Sequence, residues 1–123
     1  MSIFKNLSFS KSYKKATVYW KQLSSLLIAG NKDALEQELA KLQDLRTINM
    51  IINCTFMARM RGMGNEQLVL KPLMLAHAEK IISNITDLAQ LADINSLLVE
   101  DAKRDQFCVN QLEGLIAERT AAL

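Results

Sequence analysis

The sequence predicts an all-α fold, an antiparallel bundle of about four helices with a short basic N-terminal extension over residues 1–11. Three observations carry this reading. Half of the 123 residues are hydrophobic, with only four glycines and one proline, which sets aside collagen-like, turn-rich all-β and low-complexity chains. Apolar residues recur at steps of three and four, and no segment keeps the strict alternation that a strand needs. Glycines and capping residues fall between the apolar runs, where helix ends belong. A chain of this length holds one core and buries about two-thirds of its unfolded surface, so residues 1–123 read as a single helical domain.

In the first helix Tyr13, Ala16, Trp20, Leu23 and Leu27 form a stripe on one face, with Ser10 or Ser12 as its cap. Gly30 ends it, because a glycine just past the last periodic residue supplies a left-handed C-terminal cap. Residues 31–33 start the second helix, with Asp33 and Glu36 fitting a capping box. A link this short predicts a hairpin.

The second helix is predicted over residues 33–61. Leu35, Leu39, Leu42, Leu45, Ile48, Ile52 and Phe56 advance by an average close to the coiled-coil period, which favours nearly aligned neighbours. From residue 48 to 60 apolar side chains cover most of the circumference. Such a helix is buried all round, either at the centre of the bundle or against another chain. Gly62, Gly64 and Asn65 then mark a reversal. They do not make a phosphate loop, which needs a preceding strand and a Lys-Ser or Lys-Thr pair.

Pro72 suits the first turn of a third helix, where a missing amide costs nothing; a kinked helix starting as early as Glu66 is the alternative. Leu70, Met74, Ala78, Ile81, Ile85, Leu88 and Ala92 would be its buried face. The next turn is predicted near residues 93–95, since Asp93 and Asn95 are good capping residues, with one long helix through this point as the other option. Ile94, Leu98, Ala102, Val109, Leu112 and Ile116 then carry a fourth helix.

The chemistry-bearing residues argue against catalysis. His77 is the single histidine, on or beside the buried stripe of the third helix, where it reads as a hydrogen-bonded core or boundary residue. No second histidine, cysteine or Glu-x-x-His motif stands at metal-ligand spacing, and no strained nucleophile turn is present. The sequence therefore predicts a protein that is not an enzyme, with no cofactor and no metal. Cys54 and Cys108 read as reduced packing thiols. Residues 1–12 lack the apolar centre of a signal peptide, and no run approaches the roughly 20 apolar residues of a bilayer span. A cytoplasmic protein is expected.

Two features point to binding. Five of the six methionines lie between residues 50 and 74, and flexible, polarizable side chains suit surfaces that accept varied apolar partners. Met50, Phe56, Met57, Met60, Met63 and Met74 are the predicted partner-binding residues. The expected function is a non-catalytic protein–protein interaction module, an adaptor, chaperone or inhibitor, that also self-associates. Residues 1–32 contain six lysines and no acid, whereas the remainder carries nine bases against thirteen acids. The alternative function is therefore a peripheral binder of anionic membrane or another anionic ligand through Lys11, Lys14, Lys15 and Lys21. Nucleic acid is the less favoured ligand, since arginine, the preferred base reader, is absent from the first 45 residues.

Overall fold

The computed structural model describes residues 3–60, 66–105 and 108–123, with the side chains of 9–54, 70–105 and 108–123. These residues are all-helical, without a strand. They form six helices, α1 (Ile3–Ile28), α2 (Lys32–Lys41), α3 (Leu45–Met60), α4 (Glu66–Ser83), α5 (Leu88–Arg104) and α6 (Glu113–Ala122). The expectation of about four is corrected, because the predicted second, third and fourth helices each break, at residues 42–44, at 84–87 and beyond Arg104, while the turn expected at 93–95 is absent. The predicted extension is also absorbed into structure, with α1 beginning at Ile3.

The end of α1 follows the glycine logic. Gly30 has φ of 69°, the Gly30 amide donates to the Leu27 carbonyl at 3.1 Å, and the Asn31 amide donates to Leu26 at 3.0 Å. That pair of bonds satisfies carbonyls the helix leaves open. Asn31, not Asp33, then caps α2, its side-chain oxygen accepting the Ala34 amide at 3.2 Å.

The predicted helix over 33–61 is interrupted at residues 42–44. Asp44 starts α3 by accepting the Arg46 amide at 3.2 Å and the Thr47 hydroxyl at 2.6 Å. Across the break, Nε2 of His77 on α4 donates to the Leu42 carbonyl at 2.6 Å. His77 is thus a half-buried, hydrogen-bonded boundary residue, fastening the carbonyl that the interruption sets free.

α3 is the centre of the bundle. Every residue from 45 to 53 is buried, with α1 and α4 its principal neighbours and α5 a lesser one. The burial expected for 48–60 is met over 48–53, and the helix achieves it at the centre of its own chain. Its outer stripe is polar. Arg46, Asn49 and Asn53 are 8%, 0% and 4% exposed and follow one another by three and four residues, so they share a face. That face meets α5 and the segment leading into α6.

Pro72 lies inside α4, six residues beyond Glu66, in agreement with the alternative start at Glu66 and not with a first-turn proline. The chain next turns at residues 84–87, where Asp87 caps α5 by accepting the Ala89 amide at 2.9 Å. The turn expected at 93–95 is corrected: α5 runs through it. Asn95 spends its side chain on Asn110, whose amide donates to it at 3.1 Å. The predicted last helix is divided, with α5 ending at Arg104 and α6 starting at Glu113, and α6 packs on α4 and α5. Arg119 of α6 donates from Nε to the Ile85 carbonyl at 2.9 Å. None of the described helices is long and apolar enough to cross a membrane.

Candidate functional site

The stripe on α3 builds the most constrained polar site of the molecule. Arg46 donates from Nε and Nη2 to the two carboxylate oxygens of Asp101 on α5, each at 2.8 Å, with 9% and 1% of the side chains exposed. A paired fork of this kind is charge-assisted and fixes orientation. One and two turns further on, Asn49 accepts the Gln111 amide at 2.8 Å and Asn53 donates to the Val109 carbonyl at 2.9 Å. Together the three residues hold α5 and the 108–112 segment to α3.

The asparagine bonds have a cost. With its oxygen committed to Gln111, the Asn49 amide nitrogen is buried without an acceptor, and the Trp20 indole N–H is buried without one too. An unmet buried donor costs roughly 1–3 kcal/mol. The orientation of the C-terminal helices is maintained despite that penalty.

Alongside this polar stripe the surface opens into a groove. Gln43 at the α2–α3 break and Ile81, Ile85 and Gln90 around the α4–α5 turn line both a cavity of about 430 Å³ and an adjoining one of about 210 Å³. Arg46 and Leu97 are shared between the latter and a third cavity of about 270 Å³ that reaches Asp93, Glu100 and Arg104. The middle of the groove is apolar, from Ile81, Ile85, Ile94 and Leu97, and its ends carry charge of both signs. Leu97 is 40% exposed. The groove lies where α5 leans on α3 through the Arg46 pair without packing extensively on α4 among the described residues.

The methionine surface is corrected where it can be seen. Met50 and Met74 are 1% and 0% exposed and belong to the central core, since both sit where α3 meets α4. They cannot touch a partner of the folded chain. Phe56, Met57, Met60 and Met63 lie outside the described side chains.

Lys11, Lys14, Lys15 and Lys21 are all exposed. At 100° per residue they occupy about one-third of the circumference of α1, opposite the buried Ala16 and Leu23. Among the described residues none of the four is in an ion pair.

Neither thiol is poised for reaction. Burial pushes Cys108 from its ordinary 9.0 up to about 12, with Asp105 and Asp101 adding to the effect, and burial also raises Cys54. Both are free of disulfides, and among the described residues no cluster of His, Cys, Asp and Glu could hold a metal ion.

The groove was not readable in the residue pattern. Its walls are ordinary apolar positions of helices predicted to pack together, and the signal that separates them, Asp87 followed three residues later by Gln90, is a capping pair hidden in an apolar run. Comparison of the chain with protein-family models, with curated proteins and with solved structures returns no match.

Proposed function

We propose that the chain is a non-catalytic interaction module, working as an adaptor, chaperone or inhibitor, that receives an amphipathic helix of a partner protein in the groove beside α5. The observation that carries this reading is the apolar strip of half-buried Ile81 and Ile94 and exposed Leu97, floored by the buried Ile85, between charged ends. α5 is 17 residues long, about 25 Å at 1.5 Å per residue, enough to lie along several turns of a bound helix. Apolar anchors recurring at helical spacing, framed by charge, are the usual complement of such a groove. The side chains nearest to acid–base chemistry are already engaged: His77 with the Leu42 carbonyl and Asp101 with Arg46. That supports binding over catalysis.

The same strip offers a place for self-association, which belongs to this reading as well. Leu97→Asp is expected to abolish capture of the partner while circular dichroism stays unchanged. Val99→Asp, also on α5 and 39% exposed but outside the groove lining, should leave capture intact. Equal capture by wild type and Leu97→Asp would remove the groove from consideration.

A further inference from the structure

We infer that the exposed lysine face of α1 is a docking surface for an anionic bilayer. It is independent of the groove, on a different helix and with a different occupant. Lys11, Lys14, Lys15 and Lys21 run along about 15 Å of the helix by its rise, so neighbouring charges stand within or near a Debye length of roughly 8 Å at physiological salt. Their fields add at a flat, negatively charged surface. No acid occurs in residues 1–32, so α1 itself supplies nothing to neutralise them.

Two observations favour lipid over the other polyanions. Val18 lies in the middle of the lysine strip and Ile28 at its edge, 56% and 67% exposed. Large apolar side chains held in water among lysines suit the boundary between head groups and acyl chains, where an amphipathic helix lies in plane. Nucleic acid would reward arginine and free aromatic faces. Arginine is absent before residue 46, and the Tyr13 ring packs against Phe9 with centroids 6.2 Å apart.

The rest of the molecule orients the strip. Residues 33–83 contain equal numbers of acids and bases, while residues 84–123 hold seven acids against three bases. Charge therefore grades from positive at α1 to negative at α5 and α6. Among the described residues α1 packs chiefly on α2, α3 and α4. An anionic surface attracts one side of the bundle and repels the other, which turns α1 toward the membrane and leaves the α5 groove facing water.

The test is sedimentation of the full chain with vesicles of phosphatidylcholine alone and of equal parts phosphatidylcholine and phosphatidylserine. Binding is expected only to the second, falling steeply as salt is raised. Each of Lys11→Gln, Lys14→Gln, Lys15→Gln and Lys21→Gln should weaken it about fivefold, the equivalent of about 1 kcal/mol per lysine. Val18→Ser, which leaves the charge unchanged, should weaken it further without altering the salt dependence. Indifference to phosphatidylserine in the wild-type chain would overturn the proposal, as would affinity for a duplex oligonucleotide equal to that for the anionic vesicles. Retention by the folded quadruple variant would overturn it as well.

Discussion

At the scale of single residues, the buried Arg46–Asp101 pair is the point of greatest sensitivity. Its value as a pair is modest, because desolvating two charges consumes most of their attraction, but breaking it strands a charge in the interior. Asp101→Ala is expected to cost about 3–5 kcal/mol in urea unfolding. Replacing both partners by apolar residues of similar size, Arg46→Met with Asp101→Leu, should recover most of that loss. Cys108 supplies a pH signature. Its folded value of about 12 lies above its ordinary 9.0, so the thiol keeps its proton in the fold and loses it more readily in the unfolded chain. Its contribution is fully present below pH 9, and stability declines as pH rises from about 9 towards 12. A Cys108→Ala variant should show a shallower alkaline decline in thermal melts, measured against the same buffers.

At the scale of elements, breaks are made by side chains that act as caps. Asp44 is the clearest case, since one carboxylate starts α3 through the Arg46 amide and also holds the hydroxyl of the fully buried Thr47. Asp44→Ala is expected to cost about 1–2 kcal/mol, whereas Asp44→Asn should retain much of it; chemical denaturation distinguishes the two. The same residue explains what could be read beforehand and what could not. The end of α1 was readable because a positive φ selects for glycine at position 30. The break at 42–44 was not, because Leu39, Leu42, Leu45 and Ile48 keep their phase across it and nothing there forbids a helix. Asp93 and Asn95 misled in the opposite direction: residue types that start helices were employed inside one, with Asn95 tied to Asn110. Core membership survived these errors in part. Leu23, Leu35, Ile48, Leu70, Leu98 and Ile116 are buried as their periodicity required, but Tyr13, Leu88 and Val109, expected on the same stripes, are 39%, 50% and 52% exposed; Leu88 opens α5 just after the turn and Val109 lies between α5 and α6, so misplaced boundaries put both on the surface.

At the scale of the whole molecule, the bundle has two tiers of attachment. One apolar core runs through the bundle and includes Leu91, Leu98 and Ile116 of the last two helices, but α5 and α6 pack on the rest less extensively than α1, α3 and α4 pack on one another and are held in addition by the bonds from Arg46, Asn49 and Asn53. Regions with less buried apolar area open at lower free energy than the global transition. Native-state hydrogen exchange is expected to show residues 88–123 opening in a step of their own, below the opening of residues 45–52. Asn53→Ala should lower the first and leave the second nearly unchanged; a single shared opening energy would show one cooperative unit instead. At Met50 and Met74 the apolar surplus is consumed by the central helix pair, so those two side chains serve the core and not a partner. The asparagine clasp also sets a schedule for biosynthesis. The Gln111 amide that Asn49 receives is polymerised 62 residues later, an interval of roughly 3–12 s at about 5–20 residues per second. Throughout it the emerging polypeptide carries the Asn49 side-chain oxygen on its central rod without the donor that later satisfies it, so this seam closes only after nearly the whole chain has been made.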